Sequence, residues 1–374
     1  DLDIEEAQEL LDQAVARMRQ RVRQFGGTVA RVQGDGVMAI FGAPTAYEDH
    51  ALRACCAGQA ICDDFSSLPG AGTGGFSGVR VGIHSGRALI RELKSGRVDD
   101  YDAVGPDVKG VKVGDRRVVY PWIGCGDCPA CARDEEQLCN KPRNLGIQVN
   151  GGYASHVLVP HEKYLIDFAG ADPALAAAYM CSGLTAFGAM KKLGAVGKQD
   201  PIVIVGLGGV GMMGLQFARA MFDAPIVGVD VDQSKLDAAL KAGASSVVNS
   251  REDGALKKLL GATGGAYAAI DFVGSEASFA FAQGSVRKGG KVIVVGLFGG
   301  AFSMPIPMLP MRAISIGGSY VGSLPETLEM MALVTAGKID PIPVTRRKLA
   351  EASATLDDLR KGTIVGRVVL DPAL

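Results

Sequence analysis

Residues 201–221, PIVIVGLGGVGMMGLQFARAM, decide the fold of this chain. An apolar run of strand type leads into Gly206, Gly208 and Gly211 in GxGxxG spacing, and a helical pattern follows. Each glycine has its own reason. The first permits a tight turn, the second lets backbone approach a pyrophosphate, and the third allows close packing of helix on strand, with the helix N-terminus facing the phosphate charge. A second strand-like run, APIVGVD, ends in Asp230, nineteen positions past Gly211, where a carboxylate can accept both ribose hydroxyl protons. An adenosine 2′-phosphate would meet that negative charge, and no arginine follows directly. The pattern therefore predicts NAD rather than NADP, held by Gly206, Gly208, Gly209, Val210, Gly211 and Asp230, with Lys235 near enough to help hold the ribose. The uncharged run 201–218 is long enough to suggest a membrane span, but five glycines in turn spacing argue against one.

Outward from this segment, strand and helix patterns alternate from 201 to about 319, the signature of a parallel α/β sheet. Residues 105–164 are instead turn-rich β sequence. The last stretch offers one helix, 325–336, and a closing β segment, 363–370, which can return to the earlier β region. The first hundred residues read as α+β: an amphipathic helix over 4–25, strands over 28–33 and 37–41 joined by Gly34-Asp35-Gly36, and a helix over 48–65. After a glycine-rich break come two more strands, VRVGIHSG and RALIREL. With 374 residues, 48% hydrophobic and 21% charged, the chain has enough apolar mass for two or three domains. Its net charge of −1 gives no global attraction to nucleic acid or to an anionic membrane, so small molecules are the expected partners. The acidic start, DLDIEEAQELLDQ, lacks the basic region and apolar core of a secretory signal, which predicts a cytoplasmic protein.

Four of the eight cysteines cluster as C-x2-C-x2-C-x7-C: Cys125, Cys128, Cys131 and Cys139. Four thiolates in one loop can close around a tetrahedral zinc with no open position for water, which marks a structural site. An iron–sulfur cluster is the competing reading, although the fourth spacing and the absence of a following proline differ from ferredoxins.

Together, GDRRVVYPWIGCGDCPACARDEEQLC, GGYASHVLVP, CSGLTAFGAM, GLGGVG, GKIDPIPV and GTIVGRVVL resemble the zinc-dependent medium-chain alcohol dehydrogenases over roughly the last 270 residues. The resemblance implies a Rossmann doubly wound parallel sheet plus an incomplete GroES-like β-rich catalytic domain. It also implies oxidation of an alcohol to an aldehyde or ketone with NAD, a structural zinc on the quartet, and a homo-oligomer, either dimer or tetramer. In that family a catalytic zinc is held by a Cys, a His and a second Cys, and it lowers the pKa of the bound alcohol. Cys181 matches the last of these ligands, and Thr185 matches a residue beside the nicotinamide. The first Cys and the His normally precede the segment AVGPDVKGVKVGD, as does the hydroxyl residue that starts the proton relay. Residues 1–104 contain no matching Cys-x-Thr or Gly-His-Glu element. Cys55, Cys56 and Cys62 are accordingly expected to be small buried helix residues, Cys181 a buried thiol, and His50, His84, His156 and His161 ordinary polar side chains. Loss of the opening strands predicts exposed sheet edges and low stability.

GGTVARVQGDGVMAIFGAPTAYEDHALRAC, VRVGIHSGRALIRE and DYDAVGP look like part of a class III adenylate or guanylate cyclase domain. There, two aspartates hold two metal ions, and Asp35 matches the second. The strand carrying the first and the later helix with the transition-state Asn and Arg have no counterpart here. The expected organisation is a cyclase-like α+β fragment over 1–104, a truncated GroES-like domain with the zinc loop over 105–169, the NAD-binding Rossmann domain over 170–319, and a segment completing the catalytic domain over 320–374. Two rival readings accompany the dehydrogenase: a non-catalytic NAD-binding protein and a cyclase-like nucleotide-binding module.

Overall fold

The computed structural model describes residues 4–33, 36–43, 45–66, 79, 81–83, 89–93, 100–104, 108–153, 157–364, 366–371 and 374. The chain forms two compact units, Asp1–Arg116 and Arg117–Leu374.

In the first unit, helix α1 (Ile4–Gln24) leads into the antiparallel strands β1 (Thr28–Gln33) and β2 (Gly36–Ile40), followed by helix α2 (His50–Ser66). The hairpin register runs from Thr28↔Ile40 to Gln33↔Gly36; its tip, with Asp35, lies outside the described residues. Ala14, Met18 and Val22 recur every four residues on α1 and form one buried stripe, which packs with Val29, Ile61 and Phe65. Arg21 forks onto Asp64 of α2 with two bonds of 2.6 Å.

Two expectations fail in this unit. The expected strand VRVGIHSG is not one in its described residues, Val79, Val81, Gly82 and Ile83. Strand β3 (Leu89–Leu93), inside the expected strand RALIREL, pairs antiparallel with β4 (Asp100–Val104), where the sequence reading placed no strand. Nor do the helix cysteines enter the core: Cys55 is exposed, and Cys56 and Cys62 are half-buried. The buried stripe of α2 runs through Ala57, Gly58, Ile61 and Phe65, and at about 100° per residue Cys55 falls on the side opposite Ala57.

The second unit begins with the short antiparallel pair β5 (Val118–Val119) and β6 (Leu165–Ile166), between which the cysteine loop is folded into 3₁₀ turns. Helix α3 (Pro173–Ala178), capped by the Asp172 carboxylate, passes through a π-turn at Tyr179–Gly183 into α4 (Leu184–Lys191). The combined stretch Pro173–Lys191 is long and apolar enough to cross a membrane by length and composition, and most of it is buried inside this unit.

Next come β7 (Ile202–Val205), α5 (Gly209–Met221), β8 (Ile226–Asp230), α6 (Gln233–Lys241), β9 (Ser246–Asn249), α7 (Ala255–Thr263), β10 (Ala266–Asp271), α8 (Glu276–Ser285), β11 (Val286–Val294), α9 (Met308–Arg312) and β12 (Ser315–Gly318). The strands form one six-stranded parallel sheet in the order β12-β11-β10-β7-β8-β9. This is the doubly wound arrangement, and its order reverses between β7 and β10. β7 is buried at every residue, as expected of a strand covered on both faces.

Helix α10 (Leu324–Thr335), with a Ser323/Glu326 capping box, packs on α4, where Gly188 lets the Val321 carbonyl approach. β14 (Arg367–Asp371) pairs in parallel with β13 (Val344–Lys348), on the far side of helix α11 (Ala352–Arg360); among the described residues no pairing with β5 or β6 accompanies it. The crossover through α11 allows that parallel pairing.

Candidate functional site

The crevice for a ligand in a doubly wound sheet lies at the carboxyl ends of the strands where their order reverses. Gly206 stands there, at the end of β7, with φ +88; a Cβ on it would sit 2.5 Å from Val273, just past β10. Gly208 caps α5 with open space around it, leaving the helix N-terminus free to face an anion. A Cβ on Gly211 would lie 1.8 Å from the Gly206 carbonyl oxygen, so the helix approaches the strand as closely as the motif requires. Val210 is half-buried against the core beneath the turn.

Asp230 ends β8 with its carboxylate nearly buried, accepting from Leu207 N at 2.7 Å, Val231 N at 2.8 Å and Asp232 N at 3.1 Å. These amides fix the carboxylate beside the glycine turn; Oδ1 accepts from both Val231 and Asp232, and Oδ2, bonded only to Leu207 N, keeps a lone pair for a ribose hydroxyl. Lys235, on the first turn of α6, acts on Asp232, whose carboxyl is held below its ordinary range first by the Ser234 hydroxyl and, more weakly, by this lysine. The group that dinucleotide binding calls for is therefore matched by the turn, the helix end and the acid.

Two residues here were missed from sequence. Asp271 ends β10 as Asp230 ends β8; it is fully buried and accepts from Val273 N, Gly274 N and Ser278 Oγ, holding the loop opposite Gly206. The parallel endings VGVD and AAID were the signal. Arg367, at the start of β14, lies against the glycine turn: a Cβ on Gly209 would be 2.9 Å from its Nε. That Nε is enclosed and has no hydrogen-bond partner among the described residues. Burial pulls the guanidinium below its ordinary value, and the neighbouring Cys181 thiol opposes this.

Cys181 is exposed, a correction to the buried thiol expected from sequence. It is the outward residue of the π-turn, whose other members, Tyr179, Met180, Ser182 and Gly183, are buried. Solvent reaches it, yet the protein packed around it still pushes the thiol above its ordinary value, with Arg367 pulling weakly the other way. Thr185, half-buried, follows one helical turn later on α4.

The four loop cysteines converge without help from any other segment. Their sulfurs all lie within 4.8 Å of one another, with Cys125–Cys131 at 4.0 Å, Cys128–Cys131 at 3.5 Å and Cys128–Cys139 at 3.7 Å. Zinc–sulfur bonds of about 2.3 Å in a tetrahedron place sulfurs about 3.8 Å apart, so the quartet fits zinc closely. Backbone N–H groups of Cys125 and Lys141 donate to the Cys139 sulfur at 3.3 Å each, and Gly126 N donates to Cys131 at 3.4 Å, as thiolate ligands require. The Cys131 backbone N–H is the main influence bringing the Cys128 thiol down to about 6, while a hydrogen bond with Asp127 is the main one raising Cys125 to about 12. One anion is thus favoured, and a divalent cation would discharge the remaining protons.

Behind the loop, Glu136 is buried and accepts from Gly124 N at 2.9 Å, Tyr164 Oη at 2.6 Å and Lys163 Nζ at 2.6 Å. Burial alone would raise this carboxyl, but Lys163, Tyr164 and the Gly124 amide overcome it and hold it below its ordinary value.

Among the described residues, the quartet is the one group of three or more potential metal donors. Cys181 belongs to no such group of three or more donors among the described residues. His161 is exposed, with Nδ1 accepting from Lys163 N; His50 Nδ1 bonds the Tyr47 carbonyl; His84 and His156 lie outside the described residues.

Comparison with known proteins agrees with this geometry. The zinc-binding dehydrogenase profile matches residues 209–336, and the alcohol dehydrogenase GroES-like domain profile matches 95–168. A protein of Sulfurisphaera tokodaii named NAD-dependent alcohol dehydrogenase is 37% identical over 305 residues, covering 80% of this chain and 87% of its own. Among solved structures, the alcohol dehydrogenase of Aeropyrum pernix superposes with a TM-score of 0.68 at 30% identity, covering 73% of this chain and 80% of that one. Acetophenone reductase from Geotrichum candidum, solved in complex with NAD, gives 0.65 at 30% identity, covering 72% and 78%. By its glycine turn, its sulfur quartet and this shared sequence, the chain belongs to the zinc-binding alcohol dehydrogenase family.

Proposed function

We propose that this chain interconverts a primary or secondary alcohol with its aldehyde or ketone, using NAD. The observation that carries the proposal is the convergence of the glycine turn, Asp230 and Arg367 at the reversal point of the sheet, with Cys181 beside that arginine. When bound, NAD supplies the hydride acceptor. Gly208, Gly209, Val210 and Gly211 would present the α5 N-terminus to the pyrophosphate, and Arg367 would neutralise it from the opposite side. Asp230 would accept the adenosine ribose hydroxyls, with Lys235 nearby, and Thr185 and Cys181 would border the nicotinamide and the reacting carbon.

Zinc fits Cys125, Cys128, Cys131 and Cys139, where it supplies a closed cross-link that holds the loop. The donors described around Cys181 do not make a second metal site, so no proton or hydride step is assigned there. The test is NADH formation, read by ultraviolet absorbance, from NAD with a primary and a secondary alcohol, alongside equilibrium dialysis of NAD against wild type and Asp230→Ala. NAD binding without any alcohol-dependent reduction would favour the non-catalytic reading. Absence of NAD binding in wild type would remove the dinucleotide assignment itself.

Three subsidiary proposals accompany this one. A homo-oligomer is supported by β12, an edge strand that among the described residues pairs only with β11, and by the exposed apolar residues Leu297, Phe298, Ile306 and Met311 near it in sequence. A cytoplasmic setting is supported by eight cysteines that all remain free thiols. A cyclase-like origin for 1–104 is supported by its helix–hairpin–helix order; magnesium-dependent ATP or GTP binding abolished by Asp35→Ala would test it.

A further inference from the structure

At 0% exposure Asp271 is the most deeply buried charged side chain among the described residues, and the proposed function gives it no part. Its Oδ1 accepts from Val273 N at 2.9 Å and Gly274 N at 3.0 Å, and its Oδ2 from Ser278 Oγ at 2.9 Å. The two amides can only donate. Ser278 Oγ accepts from Ser275 N at 2.9 Å, which leaves its own proton free for Asp271. All three partners thus serve the side chain as an anion. Among the described residues no lysine, arginine or histidine forms an ion pair with it. Amide and hydroxyl dipoles make its burial tolerable, but they carry no net charge, so a negative field remains at the end of β10.

That end borders the ligand crevice. In the sheet register Asp271 stands opposite Val205, the last residue of β7, and Gly206 follows directly. Val273, held by Asp271, touches the glycine turn: a Cβ on Gly206 would come within 2.5 Å of its side chain. The loops after β10 and β11 meet there backbone to backbone, since a Cβ on Gly274 would lie 1.9 Å from the Gly296 carbonyl oxygen. Asp230, ending β8, assigns the adenosine to one side of Gly206. A dinucleotide crosses the reversal point of a doubly wound sheet, so its second mononucleotide falls on the β10–β11 side, where Asp271 stands. For NAD that half carries the nicotinamide ring, a cation when oxidised and neutral when reduced. A fixed charge near such a ring distinguishes the two forms.

We propose that Asp271 is a buried negative charge that favours the oxidised cofactor over the reduced one, and so shifts the bound equilibrium toward the alcohol. The assignment rests on the dinucleotide reading of the site, but its test needs no turnover. Asp271→Asn removes the charge and can keep every bond: Oδ1 accepts from the two amides, the side-chain amide donates to Ser278 Oγ, and the Ser278 proton turns to the Ser275 carbonyl oxygen 3.1 Å away. Binding of NAD would be measured by titration calorimetry and of NADH by fluorescence, on the full chain. In Asp271→Asn the NAD affinity should fall about fivefold or more while the NADH affinity changes less than about twofold. Ser278→Ala keeps the charge and should leave the ratio of the two affinities as in wild type. An equal fall for both forms in Asp271→Asn, or a ratio shifted by Ser278→Ala, would overturn the proposal. Binding of neither form to wild type would remove the dinucleotide reading itself, whereas normal binding with an unchanged ratio in Asp271→Asn refutes only the role of the charge.

Discussion

Replacing Arg367 by methionine should stabilise the cofactor-free protein while weakening its hold on NAD. The guanidinium Nε is enclosed without a partner, and burial pulls the group below its ordinary value. An unmet buried donor costs about 1–3 kcal/mol, and methionine retains most of the side-chain length without it. Unfolding free energy without NAD should therefore rise by about 1–3 kcal/mol. With NAD the sign reverses: a charge-assisted bond to phosphate contributes about 1.5–3 kcal/mol, so Kd should rise roughly tenfold to a hundredfold or more.

Thermal unfolding with and without NAD reads both effects on one sample, and titration calorimetry gives the affinity directly. The opposed signs make the test sharp. A side chain that merely packs under β14 would lose stability in both conditions and leave the affinity unchanged. A variant less stable than wild type without NAD, yet binding NAD normally, would refute the placement of Arg367 against the pyrophosphate.

Protein purified without added metal should contain roughly one zinc per chain by mass spectrometry, and Cys139→Ser should lose it and melt lower; two per chain would show that donors beyond the one cluster among the described residues complete a second site. Gly211→Ala places a Cβ 1.8 Å from the Gly206 carbonyl oxygen, against an ordinary separation of about 3.5 Å, so NAD affinity should fall by at least about tenfold; wild-type affinity would show that the close approach is dispensable. Glu136→Gln should destabilise the zinc-loaded chain by about 1–3 kcal/mol in urea between roughly pH 5 and pH 10. The carboxyl is lowered in the fold, so its contribution is complete above the unfolded value and fades as pH falls through the folded one, while the raised Lys163 loses its share only at high pH. A variant matching wild type at neutral pH would show that the clamp contributes nothing.

What could be read from the sequence was whatever a single segment carries. The glycine turn, the acid ending β8 and the sulfur quartet each occupy one short stretch, and each folds as its spacing implies. Arg367 was missed because its partners, Gly209 and Cys181, are far away in the chain, and GTIVGRVVL by itself reads only as a closing strand. Pairing partners were missed for the same reason. β14 finds VTRRK across α11, and β3 finds DYDAV, both charged sequences that carry little strand signal alone. Cys181 was misjudged because its neighbours are apolar; the π-turn, which no periodicity announces, turns that one residue outward.

The two thiol environments follow from the same distinction between local and distant partners. In the quartet, the Cys131 backbone N–H is the main influence drawing the Cys128 thiol down to about 6, which favours the thiolate form that a metal ligand needs. At Cys181 burial outweighs the pull of Arg367, and the thiol stays protonated. No group of three donors is described at Cys181 to hold a divalent cation, whereas the loop offers four sulfurs at tetrahedral spacing. The loop is therefore the expected metal site. In the proposed function, residues 201–235 and Arg367 would carry the cofactor half of the chemistry, and the alcohol half would centre on Cys181.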